Sequence, residues 1–125
     1  MVVRRGAAER DEADRIDRLF HALADPTRRD IVRLVLRSEE SVSALAEHYP
    51  MSFAAVQKHV GVLERAELVH KRRQGREQLV RGDIETLRSV NRLLDQYETV
   101  WRSRIDQMDE ILAQSETETN KEKRR

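Results

Sequence analysis

Apolar residues recur at helical spacing in the first third of the chain and predict two helices there. From residue 11 the apolar positions lie three or four residues apart, which is typical of an amphipathic helix. Asp25 and Pro26 predict the start of a second helix, because Asp is a favoured N-cap and the first helical position does not need the N–H that Pro lacks. This helix is expected over about 26–37 and, being apolar around a wide arc, is expected to be largely buried. Residues 1–9 show little periodicity and are predicted to be flexible.

A short helix, a break and a longer helix are predicted in the middle of the chain. Residues 38–41 are polar and are expected to form a break, followed by a short helix over about 43–49 that Pro50 ends. Ser52 is a second favoured N-cap and is expected to open a helix that runs to about Ala66. A short helix, a tight turn and a longer helix in this order indicate a helix-turn-helix motif.

A β-hairpin and a long helix are predicted after this motif. Two short strand-like runs, 68–73 and 77–81, flank a turn that contains Gly75. A helical pattern then continues over about 84–114. The remaining residues, 115–125, include few apolar side chains and are predicted to be disordered.

Together these elements predict one domain over 10–114, mainly α with a two-stranded β-wing: a winged helix-turn-helix with a long C-terminal dimerisation helix. The length of 125 residues allows one such domain. Cysteine is absent, which excludes disulfides and thiolate metal sites. No apolar run approaches the roughly 18 residues of a membrane span, and residues 1–15 lack the apolar segment of a secretory signal. A cytoplasmic protein that does not contact membranes is therefore expected.

Charge is unevenly distributed along the chain, although the formal net charge is only +1. Residues 51–82 carry seven bases and three acids, whereas residues 83–119 carry four bases and nine acids. A basic segment of this kind attracts a polyanion, and we expect double-stranded DNA as the partner. No HExxH, GxSxG, GxGxxG or P-loop pattern occurs, so an enzyme is not expected.

The longer helix of the motif is predicted to read DNA. With Val56, Val60 and Leu63 turned inward, its opposite face is small at the N-terminal end and basic further along. Small residues let a helix enter the major groove, where Lys and Arg reach phosphates or guanine and Gln can bind adenine. An ordinary solvated helix face is the alternative. The DNA-binding residues predicted on this helix and at its N-cap are Ser52, Ala54, Ala55, Gln57, Lys58 and Arg65.

Two further groups of residues are predicted to contact DNA. The basic hairpin is expected to meet phosphate or the minor groove, unless its charges only protect an edge strand from aggregation. The N-terminus of the second helix favours anions, although Arg28 could instead form a salt bridge to Asp25 or Asp30. The residues of these two groups are Thr27, Arg28, Lys71, Arg72, Arg73 and Arg76.

The apolar stripe of the last helix is longer than a domain of this size can cover. A helix of about 30 residues is about 45 Å long, so the excess needs a partner, most simply a second copy of the chain. The first-helix stripe can pack beside it. The interface residues predicted are Ile16, Leu19, Phe20, Leu23, Leu94, Tyr97, Trp101, Ile105, Met108 and Leu112. The alternative is a protein-interaction module that acts through the last helix and has no DNA role.

Several of these runs resemble the ArsR/SmtB family of bacterial transcriptional repressors. The resemblance lies in Ala-Asp-Pro-Thr-Arg-Arg at 24–29, Leu-Ala at 45–46, Val-Gln-Lys-His-Val at 56–60 and Val-Leu-Glu-Arg-Ala at 62–66, in family order and spacing. It implies a homodimer that binds an operator and represses transcription, often released by a metal or another signal. One position departs from the pattern, because Glu67 stands where the family usually has Gly.

The same resemblance argues against a metal sensor. Metal-sensing members often carry Leu-Cys-Val-Cys-Asp-Leu-Ala, whereas residues 40–46 read Glu-Ser-Val-Ser-Ala-Leu-Ala. Ser41 and Ser43 replace the thiolates and are poor ligands for soft metals. The family's other common site uses histidine on the last helix, and residues 84–114 contain none. No metal or cofactor is expected, and repression is expected to be released by another signal or set by autoregulation.

Overall fold

The structure, a computed structural model, describes residues 6–123. Its elements in chain order are α1 (Ala7–Leu23), α2 (Pro26–Arg37), β1 (Glu40–Ser41), α3 (Val42–Glu47), α4 (Phe53–Arg65), β2 (Val69–Gln74), β3 (Glu77–Gly82) and α5 (Ile84–Lys123). The helix-turn-helix consists of α3 and α4, and we call β2 and β3 the wing. The predicted fold class, mainly α with a small β-wing and a long C-terminal helix, is confirmed.

Capping side chains define where three of the helices begin. Asp25, Ser41 and Ser52 each accept a hydrogen bond from the backbone N–H three residues ahead, at 3.0, 3.0 and 3.1 Å. Each bond satisfies one of the N–H groups that the first helical turn leaves without a partner. The caps at Asp25 and Ser52 were predicted from the sequence, whereas the cap at Ser41 was not.

The sheet has three antiparallel strands in the order β1-β3-β2. Strand β1 lies in the segment that the sequence predicts as a polar break, and it pairs Glu40 with Val80 and Ser41 with Leu79. A strand of two residues has no alternating pattern, so sequence periodicity does not detect it. In the wing, a two-residue turn begins at Gly75, whose φ of 61° is favourable for glycine.

Both predicted flexible ends are partly helical. Helix α1 begins at Ala7, so residues 7–9 belong to it, while residues 1–5 lie outside the described residues. Helix α5 continues to Lys123, so the prediction of disorder over 115–123 is wrong. This segment has few apolar side chains with which to pack against the domain, which is why disorder was predicted. Its Glu and Lys residues nevertheless favour a helical backbone, and extending an existing helix avoids the cost of nucleation.

The core lies among α1 to α4, the sheet and the start of α5. Its fully buried side chains are Leu19, Ile31, Leu45, Val56, Val60, Leu63, Leu68, Val69 and Val80. Residues up to Val90 form one compact unit, and α5 from Asn91 onward forms a second. Within residues 6–123, no helix combines the length and apolar character needed to cross a membrane.

Leu19 corrects the predicted dimer interface. Its side chain is 1% exposed and packs in the core, so it cannot contact a second copy. The other stripe residues of α1 are less buried: Ile16 and Leu23 are half-buried and Phe20 is exposed. The apolar stripe of α1 therefore packs into the core along one edge and is accessible to solvent along the other. Helical periodicity alone does not show which residues lie on which edge.

Candidate nucleic-acid interface

Helix α4, which we call the recognition helix, turns inward the face that its sequence predicts. Val56, Val60 and Leu63 are fully buried, and Met51 and Val62 pack against the core at its edges. The residues of α4 predicted to face DNA lie on the other side, where Ala55 is half-buried and the rest are exposed: Ala54, Gln57, Lys58 and Arg65.

Gly61 leaves bare backbone on the outward face of α4. A Cβ atom placed there would lie 3.7 Å from Nη1 of Arg65, an ordinary contact distance, so an alanine would fit. Glycine inside a helix costs about 1 kcal/mol relative to alanine. No contact among residues 6–123 requires a glycine at this position, whereas close approach of a ligand to the backbone would.

Arg28 is used inside the fold rather than at its surface. Its Nε donates to the carbonyl of Ala22 at 2.7 Å and its Nη2 to that of His21 at 3.0 Å, while Nη1 lies 3.3 Å from Nδ1 of His59 on α4. Carbonyl groups in the last turn of a helix lack helical partners and attract cations. The predicted DNA contact of Arg28 is therefore corrected: its guanidinium caps α1 and braces α4.

The anion site predicted at the start of α2 is filled by the protein itself. The carboxylate of Asp25 accepts the backbone N–H of Arg28, and this bond holds the pKa of Asp25 below its ordinary value. Thr27 is half-buried beside this cap. Because this carboxylate already accepts an N–H group at the N-terminus of α2, fewer free N–H groups remain there for a phosphate to bind.

The wing divides its basic residues between two faces. Lys71 pairs across the strands with Val80 and Arg73 with Gln78, so both lie on the same face of the sheet. Nζ of Lys71 is 3.4 Å from a carboxylate oxygen of Glu64 on α4, which places this face of the wing beside the recognition helix.

Arg72 lies on the opposite face of β2 and is held at the base of the wing. It donates to both carboxylate oxygens of Glu39, at 2.6 Å through Nη2 and at 3.0 Å through Nε. Hydrogen bonding from Arg72 also holds the pKa of Glu39 below its usual range. Of the predicted wing contacts, Arg73 and Arg76 are exposed and form no ion pair with residues 6–123.

Two features of the surface were missed by sequence reasoning. Arg81 of β3 is exposed and pairs across the strands with His70, so it adds a charge to the same face as Arg72. Phe53, the first residue of α4, is 46% exposed although it is aromatic. Alternation along β3 could have indicated Arg81, whereas apolar periodicity favours a buried Phe53.

The residues that could hold a metal are dispersed. Within the described part of the chain, no three His, Asp or Glu side chains are grouped so that they could bind an ion. Ser41 uses its hydroxyl to cap α3.

Comparison with known proteins agrees with this geometry. The family model for bacterial regulatory proteins of the arsR family matches residues 25–71, from the N-cap of α2 into β2. The ArsR-like transcriptional regulator from Rhodococcus sp. RHA1 is 30% identical, has a TM-score of 0.71, and is matched over 81% of this chain and 95% of its own. The chain belongs to the ArsR family. This ArsR-family protein is a transcriptional regulator with a winged helix-turn-helix, and the curated relatives that it matches are transcriptional regulators or repressors.

Two other similar proteins add detail about the family. Transcriptional repressor SdpR of Bacillus subtilis is 32% identical over 60 residues, which cover 48% of this chain and 67% of SdpR. The homodimeric winged helix-turn-helix DNA-binding domain of Mb0332 from Mycobacterium bovis, a possible ArsR-family regulator, is 22% identical with a TM-score of 0.62. It shares the fold over 76% of this chain and 91% of its own.

Proposed function

We propose that this ArsR-family protein is a homodimeric repressor that binds an inverted-repeat operator through α4 and the wing. The observation that carries the proposal is the position of the wing beside α4, where Lys71 of β2 pairs with Glu64 at 3.4 Å. Lys58 and Arg65 are exposed on α4, and Lys71 and Arg73 share one face of the wing. A helix that enters the major groove beside a basic ribbon reaches both base edges and the neighbouring phosphates.

Different residues of this surface suit different parts of DNA. Ala54, Ala55 and Gly61 are small enough for α4 to approach the bases, and Gln57 can bind an adenine edge through two hydrogen bonds. Lys58 and Arg65 suit phosphates or guanine, and Arg73 and Arg76 suit phosphates beside the groove. Ser52 contributes as the N-cap that positions the first turn of α4.

An exposed apolar surface on α5 supports the dimer. Tyr97 and Trp101 are 64% and 59% exposed, more than a soluble single chain normally leaves in one stripe. Val100 and Ile111, which the sequence prediction did not include, are exposed on the flank of this stripe. The proposed interface residues are Ile16, Phe20, Leu23, Leu94, Tyr97, Val100, Trp101, Ile105, Met108, Ile111 and Leu112.

Repression follows from occupancy of the operator, as the name of the relative SdpR suggests for that protein. Two-fold symmetry would place the two recognition helices about 34 Å apart, on successive turns of the major groove. Because Ser41 and Ser43 are poor soft-metal ligands, release by a thiolate-bound metal is not part of this proposal.

The test measures the affinity of the full chain for the DNA upstream of its own gene by fluorescence anisotropy at several salt concentrations. A steep loss of affinity with salt is expected, because phosphate contacts release counterions. Lys58→Ala and Arg65→Ala should each weaken binding at least about tenfold, whereas Arg10→Ala, the same change on α1, should not. Salt-independent or absent binding would instead favour the protein-interaction role of α5.

A further inference from the structure

Phe53 is an exposed aromatic side chain on the recognition helix. It is the first residue of α4, it is 46% exposed, and it lies outside the hydrophobic core. The residues that normally close the first turn, at N′ and N4, are Met51, which packs against the core, and Val56, which lies in it. Phe53 is therefore not required to start the helix, and nearly half of its surface faces solvent in the isolated chain.

The neighbours of Phe53 belong to the proposed DNA surface. Gln57 lies one helical turn further on, which brings the two side chains onto one side of α4 at about 5–6 Å between Cβ atoms. Ala54 follows Phe53 directly, and Lys58 follows Gln57; all are exposed. The apolar ring of Phe53 thus lies near the amide of Gln57 and the cation of Lys58. Such a combination suits a base edge that offers a methyl group as well as polar atoms.

Among the base edges in the major groove, only thymine offers a methyl group, and apolar side chains such as Phe contact it. We propose that Phe53 contacts the 5-methyl group of a thymine in each operator half-site and so sets a preference for A·T pairs. The proposal rests on the DNA-binding function proposed above and names the base that one residue selects.

The spacing along α4 makes the proposal more specific. One helical turn advances 5.4 Å along the helix axis, and successive base pairs are about 3.4 Å apart. Phe53 and Gln57 therefore reach base pairs that are one or two steps apart. Because Gln binds adenine and Phe contacts thymine, each half-site contains two A·T pairs at this separation.

The test uses duplexes of about 30 base pairs, long enough for two half-sites one turn apart, selected from a random pool by the full-length wild-type protein. In the selected duplex, each thymine is replaced in turn by deoxyuridine, which lacks only the methyl group. Affinity is measured for the wild-type protein, for Phe53→Ala and for Phe53→Leu. Thermal melting of each variant checks that it folds.

We expect the wild-type protein to lose roughly fourfold in affinity when the contacted methyl group is removed from one half-site, as for one buried methyl group. Phe53→Ala should bind the thymine duplex and the corresponding deoxyuridine duplex with equal affinity. Phe53→Leu should retain part of the preference for thymine. An equal loss for wild type and Phe53→Ala, or no thymine whose methyl group affects affinity, overturns the role of Phe53 while DNA binding stands. If the wild-type protein selects no duplex, the proposed function fails as well.

Discussion

Glu67 shows how one residue can depart from its family and still keep the local geometry. Its φ is 62°, the left-handed conformation that favours glycine. The N–H of Glu67 donates to the carbonyl of Glu64 at 2.9 Å, and that of Leu68 to Leu63 at 3.0 Å, which is a complete Schellman motif. The helix end is therefore formed by backbone hydrogen bonds, and the Glu side chain adds strain to it.

Replacing this residue should stabilise the protein. We expect Glu67→Gly to raise the free energy of unfolding by about 0.5–1 kcal/mol, because glycine adopts this φ without a steric cost. The variant also loses the contact with Arg15 at 3.5 Å, but an ion pair this exposed contributes little. Urea unfolding measures the change. Glu67→Ala is the matched control, since it removes the ion pair and keeps the strain; a glycine variant no more stable than it would contradict this account.

Among the helices, α5 begins at a cap that also contacts the wing. Oδ1 of Asp83 accepts the N–H groups of Glu85 and Thr86 at 2.9 and 3.3 Å, while Oδ2 lies 2.7 Å from Nε2 of His70 on β2. Hydrogen bonding to His70, with the two backbone N–H groups, lowers the pKa of Asp83 from its ordinary value. One carboxylate thus joins the start of α5 to the base of the wing.

The stability due to this carboxylate should depend on pH. Because the pKa is lower in the folded protein, the contribution is fully present above the ordinary value of 3.8 and is lost as the pH falls through the folded pKa. We expect Asp83→Ala to cost about 1–2 kcal/mol near neutral pH, as for other N-caps. Asp83→Asn, which keeps an acceptor oxygen, should cost less.

Urea unfolding from pH 7 to pH 3 measures both variants. The difference between wild type and Asp83→Asn should begin to narrow as the pH falls below the ordinary value of 3.8, where the carboxylate of the unfolded chain takes up a proton. A difference that stays constant down to pH 3 would mean that the negative charge of Asp83 contributes nothing.

Arg72 on β2 is paired with Glu39, whereas Arg76 in the turn of the wing forms no ion pair with residues 6–123, which predicts different effects on DNA binding. Arg76→Ala should weaken operator binding and reduce the slope of log affinity against log salt by roughly 1 per subunit, because the exposed side chain is available to a phosphate. Arg72→Ala, in which the lost partner is Glu39, should leave that slope nearly unchanged. Anisotropy titrations at four salt concentrations compare the two. If both variants changed the slope of log affinity against log salt equally, the proposed difference between Arg72 and Arg76 would be refuted.

At the scale of the whole protein, the exposed apolar stripe of α5 predicts a dimer. We expect Trp101→Ala to raise the dimer dissociation constant by about 30-fold or more, the effect of losing a central aromatic side chain from an interface. Glu110→Ala, on the opposite side of α5, is the matched control. Sedimentation velocity over a range of concentrations measures both. A wild-type protein that is monomeric at micromolar concentration would rule out the proposed dimer.

Local sequence was enough to predict the elements whose causes are local. The caps at Asp25 and Ser52, the inward face of α4 and the hairpin turn at Gly75 depend on residues that each lie at most four positions from the next. Such short-range preferences are the same whatever the rest of the chain does. The fold class follows from these elements because their order and lengths permit few arrangements.

Long-range packing determined the features that the sequence predicted wrongly or left open. Leu19 belongs to the core rather than to an interface because α2 and α4 lie against it. Arg28 reaches the carbonyls of α1, and Arg72 reaches Glu39, 33 positions away, only in the folded chain. A sequence pattern reports which side chains are apolar or charged, whereas the partner of each depends on which elements the fold brings together.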